Sequence, residues 1–107
     1  MTADASIDES TLGGYVARHA RPPAFEGVDG LAYTADIAVA DTDDAAAPIG
    51  AYLLFVRWGG SAPAIRGHLE SEFLARGSDV GEVRAVVERL TLLEVKRTLD
   101  ALIGAEQ

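Results

Sequence analysis

The chain has 107 residues, of which 49% are hydrophobic and 24% are charged, and this composition predicts one folded domain with a single modest core. Acidic side chains outnumber basic ones by 17 to 9, which leaves a net charge of -8, so we expect no basic surface for a nucleic acid. The absence of cysteine excludes disulfides, thiolate metal sites and cysteine nucleophiles.

The N-terminal residues 1–14 are small, polar and acidic, and we predict that they are flexible. A single α+β domain is predicted over residues 15–107. Its first segment, residues 15–21, ends at two prolines and is too short for its pattern to separate strand from helix. The chain start lacks the basic and apolar stretches of a secretory signal, and no apolar run is long enough to span a membrane. We therefore expect a soluble cytoplasmic protein.

Three strands are predicted from the alternation of apolar and polar side chains. The first covers residues 31–39 and follows an Asp-Gly turn at residues 29–30. The second, residues 49–58, is apolar on both faces. It is predicted to be a central strand covered by helix on one face and by the N-terminal segment or a second copy of the chain on the other. The third, residues 64–74, follows a turn at residues 58–63 and has one charged, solvated face.

A helical pattern over residues 79–103 changes its apolar face near Thr91. Thr91 and Glu94 have the spacing of a capping box, so we predict a broken or kinked helix here and a helix end at Gly104. If the helix were continuous, its second apolar stripe would need another partner, most simply a second copy. The two stripes are Val80, Val83, Val86, Val87 and Leu90, then Leu92, Val95, Leu99, Leu102 and Ile103.

These elements predict an α+β fold, in which a three- to four-stranded antiparallel sheet carries the C-terminal helical segment on one face. The order of strands from Tyr33 onward, followed by residues 74–79 and an amphipathic helix, resembles that of HicB-type antitoxin domains. The resemblance implies the fold only, because the proline- and glycine-bearing motif that such domains carry before their last strand is not found here.

The residues with candidate chemistry lie on the charged face of the predicted third strand. His68, Glu70 and Glu72 alternate there, and imidazole and carboxylate ligands suit zinc, manganese or iron. Arg66 is predicted on the same face, where it would neutralise one carboxylate and leave an ordinary solvated surface. A small metal- or ligand-binding protein or enzyme that uses these four residues is the alternative hypothesis. We assign no catalytic residue, bound metal or cofactor.

The leading hypothesis is a small self-associating binding or regulatory module. It follows from the surplus of apolar faces and from the lack of any pattern of catalytic residues. The expected partner is a second copy, which would give a homodimer, or another protein, and not a membrane or a nucleic acid. The candidate interface residues are Tyr52, Leu54, Val56 and Trp58 of the second strand, and Leu99 and Leu102 of the tail.

Overall fold

A computed structural model describes residues 8–59 and 64–106 of the chain. The predicted flexible segment 1–14 and the predicted turn at 58–63 therefore lie partly outside the described residues. Within the described ranges the chain forms three helices and five strands. In chain order they are α1 (Leu12–His19), β1 (Ala24–Glu26), β2 (Ala32–Asp41), β3 (Ile49–Gly59), β4 (Ala64–Glu70), β5 (Ala75–Gly77), α2 (Val80–Glu88) and α3 (Leu92–Glu106).

The described strands form one antiparallel sheet in the order β1, β2, β3, β4, with β5 also paired with β3. β2 and β3 make its centre through ten residue pairs, from Ala32 opposite Trp58 to Asp41 opposite Ile49. The predicted α+β fold is confirmed, and so are the first two predicted strands.

The predicted third strand, residues 64–74, is shorter than expected. β4 ends at Glu70, and the next strand, β5, begins only at Ala75. Ser71 accounts for the gap, because its hydroxyl accepts a hydrogen bond from the Leu53 N–H at 2.9 Å while its own N–H donates to the Leu53 carbonyl at 2.9 Å. A side-chain acceptor replaces a backbone acceptor at this point, so the regular ladder along β3 is interrupted between β4 and β5.

A β-bulge distorts β4. Arg57 pairs with Gly67 and Trp58 pairs with Ile65, so Arg66 is an extra residue on the β4 side. Gly67 has a φ of 135°, a conformation that L side chains rarely adopt. The extra residue reverses the face of the side chains that precede it. Ile65 therefore lies on the face of Trp58, whereas uninterrupted alternation predicts the opposite face.

The described helices all pack on one face of the sheet. Leu12 of α1 is 1% exposed and belongs to this core. The prediction that the N-terminal segment covers the opposite face is therefore wrong for the residues described. The predicted domain boundary after residue 14 lies within α1, which spans Leu12–His19. The buried core comprises Leu12, Tyr33, Ala35, Ala51, Leu53, Phe55, Val83, Val87, Val95, Leu99 and Ile103.

Two backbone hydrogen bonds hold the start of α1 beside the joint between α2 and α3. The Leu12 N–H donates to the Leu90 carbonyl at 2.8 Å, and the Leu92 N–H donates to the Ser10 carbonyl at 2.7 Å. These bonds satisfy polar groups that the ends of three helices would otherwise leave without partners. The three helices are thereby joined at one point.

The tail is broken at the predicted place. α2 ends at Glu88 and α3 begins at Leu92, with Thr91 between them at the N-cap position. The change of direction allows both apolar stripes to reach one core, since Val87 and Leu99 are both fully buried. The break is therefore what lets a helical pattern with two opposed stripes fold on a single sheet.

The predicted helix end at Gly104 is wrong, because α3 continues to Glu106. The Glu106 carboxylate accepts a hydrogen bond from Arg57 Nη2 at 2.6 Å, which ties the last turn of α3 to β3. Gly104 is not among the glycines with positive φ, so it lies in ordinary helical backbone and does not terminate the helix.

Candidate functional site

The sheet face opposite the helices, which we name the open face, is the main candidate for a functional surface. Odd-numbered residues of β2 and β3 point toward the helices, so even-numbered residues and their partners in β4 point away. Phe73, which follows β4, also lies on this face, against Gly50. The strand residues of the open face are Ala32, Thr34, Asp36, Ala38, Ala40, Gly50, Tyr52, Leu54, Val56, Trp58, Ile65, His68 and Glu70.

An apolar stripe runs along β3 in the middle of the open face. Tyr52, Leu54, Val56 and Trp58 are all half-buried there, although no described helix covers them. Ile65 extends the stripe onto β4 and is 66% exposed. The four interface candidates that the sequence suggests in β3 are therefore neighbours on one surface that no element within residues 8–59 and 64–106 covers.

The ends of this stripe differ in shape. At one end the Trp58 indole N–H donates a hydrogen bond to Thr34 Oγ1 at 3.0 Å, which holds the ring across β2. Beside it, an open groove of about 300 Å³ is lined mainly by Leu54, Val56 and Ile65, with His68 and Glu70 at its border. The groove combines apolar and polar lining residues, as interfaces between proteins do.

At the other end lies a second concave region, which we name the aromatic cavity. It is lined by Ala40, Tyr52, Glu70, Ser71, Glu72 and Phe73 and has a volume of about 280 Å³. The Tyr52 and Phe73 rings meet edge to face, with centroids 5.8 Å apart and an interplanar angle of 78°. A Cβ at Gly50 would overlap the Phe73 ring, so glycine is what allows this ring to lie against β3.

The predicted metal-ligand set is not assembled. His68 Nε2 and Glu70 Oε2 are 3.6 Å apart, with the two side chains 61% and 51% exposed. Glu72 follows the end of β4 and lines the aromatic cavity. Within residues 8–59 and 64–106 no three His, Asp or Glu side chains are placed to hold a metal ion.

Arg66 does not share the face of His68 and Glu70, and this prediction is wrong because of the bulge at Gly67. A Cβ built on Gly59 would lie 2.8 Å from Arg66 Cγ, so Arg66 runs beside the end of β3 on the helical side. Arg66 forms no ion pair with Glu70 or Glu72 among the described residues, as the alternation had suggested it would.

The two interface candidates in the tail lie on the helical side of the sheet. Leu99 is fully buried in the core of the chain itself, and Leu102 packs against that core. Both positions follow from the break at Thr91, which directs the second apolar stripe toward the sheet. The Leu99 side chain is therefore not accessible to a partner in the folded chain.

A polar network that the sequence did not predict joins the sheet to α3. Arg57 Nε donates to the Tyr33 hydroxyl at 2.8 Å, and that hydroxyl donates to Asp29 Oδ2 at 2.8 Å. The Arg57 guanidinium also lies over the Tyr33 ring, 5.4 Å from its centroid. Because Arg57 Nη2 donates to Glu106 as well, the network links a turn, two strands and the last helix.

Hydrogen bonds within this network contribute to the pKa shifts of Asp29, Tyr33 and Arg57. Burial alone would raise the pKa of Asp29, but hydrogen bonds from Leu31 and Tyr33 and the charge of Arg57 lower it overall. Burial raises the pKa of Tyr33, although the hydrogen bond from Arg57 opposes this shift. Hydrogen bonds to Tyr33 and Glu106 raise the pKa of Arg57. Each of these three shifts favours the charge state that Asp29, Tyr33 and Arg57 have near neutral pH, so the network is suited to holding α3 in place.

Three features of the site needed the tertiary structure. Ile65 and Phe73 reach the open face only through the bulge and the interruption after β4. The sequence carries one sign of the bulge, which is Gly67 within the predicted third strand, because an isolated glycine in a strand often marks a bulge. No local pattern connects Arg57 to Tyr33 or Glu106, which lie far from it in sequence.

No protein-family model, curated protein or solved structure matches the chain. The resemblance to HicB-type domains therefore remains one of element order. None of the described helices combines the length and apolar character that a membrane span requires.

Proposed function

We propose that this protein is a small binding module that self-associates through its open face. The observation that carries the proposal is the apolar stripe along β3, which lies opposite the face that packs against α1, α2 and α3. A sheet that is apolar on both faces is typically covered by a second layer. A second copy of the chain would supply such a layer without any other protein. We also propose a cytoplasmic location, as the sequence predicts.

The size of the open face supports a reversible dimer. The ten paired residues of β2 and β3 extend about 33 Å, and three strands are about 14 Å wide, so each copy offers about 500 Å². Two copies would bury about 1,000 Å², which is below the range of about 1,200–2,000 Å² for stable interfaces and typical of weak, transient ones. We therefore expect a dimer that dissociates at accessible concentrations.

The charges of the open face are compatible with self-association. Asp36 and Glu70 flank Leu54 on neighbouring strands, and His68 lies one row away. Arg76 pairs with Gly50 and so lies at the same face, where a second copy would place it near carboxylates. Because each copy carries a net charge of -8, added salt should strengthen the dimer by screening the repulsion between copies.

Sedimentation analysis of the wild type and two matched variants tests this proposal. Ile65→Glu places a charge in the apolar stripe, where the Ile65 side chain is 66% exposed. Leu93→Glu is the control, because it places the same charge on α3, where the Leu93 side chain is 58% exposed. We expect the wild type and Leu93→Glu to be dimers at submillimolar concentration and Ile65→Glu to be a monomer. A monomeric wild type would contradict self-association, and a monomeric Leu93→Glu would assign the interface to the helical side.

The polar groups that the fold brings together support a binding role over a catalytic one. Tyr33, Arg57 and Asp29 bond to one another and hold α3, while His68 and Glu70 are both more than half exposed on the open face. Measurement of bound metal in the purified protein, with a His68→Ala thermal shift, tests the alternative hypothesis. Stoichiometric metal that His68→Ala removes would favour a metal-binding protein instead.

A further inference from the structure

We infer that the aromatic cavity binds an organic cation, the guanidinium or ammonium group of a basic side chain or of a small free amine. Two aromatic residues, Tyr52 and Phe73, and two acidic residues, Glu70 and Glu72, are among the residues that line it. Ring faces attract a cation through their negative charge distribution, and carboxylates attract it directly. The cavity thus combines two independent means of recognising the same kind of group.

The two rings make an angled pair that borders the cavity. They stand at 78° to each other, so they form two walls of a corner and do not stack. A cation near both rings would lie within the distance of about 6 Å over which the attraction operates. Tyr52 is fixed by its place in β3, and Phe73 is fixed by its seat on Gly50, so the corner exists before a ligand arrives.

The chain itself provides an example of this contact. The Arg76 guanidinium lies 5.3 Å from the centroid of the Phe73 ring. Arg76 is not among the residues that line the aromatic cavity, so the space between Tyr52 and Glu72 is not filled by its side chain. Phe73 therefore already contacts one cation, and a second cation in the cavity would have to be held by Tyr52 and the carboxylates against the charge of Arg76.

The carboxylates at the rim differ in how they are engaged. Glu70 lies 3.6 Å from His68, which is charged only when protonated. The Glu72 carboxylate takes part in no hydrogen bond or ion pair with the residues that the structure describes. Its backbone carbonyl is held by the Ser71 hydroxyl at 2.8 Å, which fixes the chain beside the cavity. Glu72 is thus the carboxylate most available to a ligand.

Size and charge narrow the ligand class. A volume of about 280 Å³ is at the small end for ligand sites and suits one basic side chain or a small amine. The net charge of -8 attracts cations to the surface as a whole. Calcium is disfavoured, because the two carboxylates supply at most four of the six to eight oxygen ligands that it takes in proteins.

NMR titration of the ¹⁵N-labelled protein tests the inference. The probes are N-acetyl-arginine amide, its neutral isostere N-acetyl-citrulline amide, and agmatine as a free amine of the same chemistry. We expect saturable shifts of the Tyr52, Ser71 and Phe73 amides with the two cations at millimolar concentration, and none with the citrulline derivative. Tighter binding of the arginine derivative than of agmatine would indicate a basic side chain of a partner, and the reverse order a free amine.

Three variants define the site. Glu72→Gln and Tyr52→Leu should each weaken binding of the arginine derivative by about five-fold or more. Glu82→Gln removes one charge from the exposed first turn of α2 and should leave binding unchanged. Glu72 is exposed, so Glu72→Gln should keep the dispersed spectrum of the folded chain even if Tyr52→Leu does not.

The same titration on Ile65→Glu separates this inference from self-association. That variant leaves the aromatic cavity intact and is expected to be monomeric, so its cavity is free whatever the state of the wild type. No saturable shift in Ile65→Glu, or an equal response to the citrulline derivative, would overturn the cation site. A wild type that is monomeric but binds the arginine derivative would overturn self-association alone.

Discussion

Thr91 and Glu94 exchange hydrogen bonds across the joint between α2 and α3. The Thr91 N–H donates to Glu94 Oε1 at 2.8 Å, and the Glu94 N–H donates to Thr91 Oγ1 at 3.1 Å. The bonds that the Thr91 N–H and the Thr91 hydroxyl donate to the Glu94 carboxylate lower the pKa of Glu94, and the backbone bond is the larger cause. The reciprocal pair satisfies two backbone donors at the start of α3 and fixes the angle between the helices.

Removal of this cap should destabilise the protein. Thr91→Ala deletes the acceptor of the Glu94 N–H, and loss of such an N-cap typically costs about 1 kcal/mol of unfolding free energy. Thr91→Ser keeps the hydroxyl and should lie close to the wild type. Urea unfolding followed by circular dichroism checks the difference. Equal stability of Thr91→Ala and Thr91→Ser would mean that packing alone sets the break.

The second apolar stripe should contribute to the stability of the single chain. Leu99 is fully buried, so Leu99→Ala should lower the unfolding free energy by about 2–5 kcal/mol. Leu93 is 58% exposed on the same helix, and Leu93→Ala should change it by less than about 0.5 kcal/mol. The loss in Leu99→Ala should not depend on protein concentration. A loss that disappears on dilution would instead place Leu99 in an interface.

Two glycines should respond to alanine in opposite directions. Gly67 has a φ of 135°, so Gly67→Ala strains the bulge and should cost about 1–3 kcal/mol of unfolding free energy. Gly104 lies within α3 with no atom near its added Cβ, so Gly104→Ala should stabilise by about 0.5–1 kcal/mol. Thermal and urea unfolding measure both. A neutral Gly67→Ala would show that β4 can pair without the bulge.

Acid should weaken the network around Tyr33 through Asp29. Because the folded-state pKa of Asp29 is lowered, its contribution to stability is present above the unfolded-state pKa and is lost as the pH falls through the folded value. Asp29→Asn should therefore be less stable than the wild type near neutral pH, and the two should converge below about pH 4. Unfolding at several pH values, with Asp43→Asn in the loop after β2 as a control, measures this. A difference that is constant with pH would contradict the assignment.

The predictions from local pattern held where the responsible forces are local. The alternation in β2 and β3 and the capping box at Thr91 depend on residues only a few positions apart. Both are present in the folded chain as predicted. The prediction for the charged face of the third strand failed at Arg66, because a single extra residue reverses the alternation. Among its candidate residues, His68 lies beside Glu70, and Glu70 and Glu72 line the aromatic cavity together.

The sequence by itself determined the fold class, the central strands, the position of the helix break and the surplus of apolar surface on β3. Only the tertiary structure decided that α1 joins the other helices, so that no described helix covers the opposite face of the sheet. It alone brought Phe73 to Tyr52 and Arg57 to Tyr33 and Glu106. The physical reason is that periodicity reports which side chains share a face, whereas the layer that covers each face depends on contacts between distant segments.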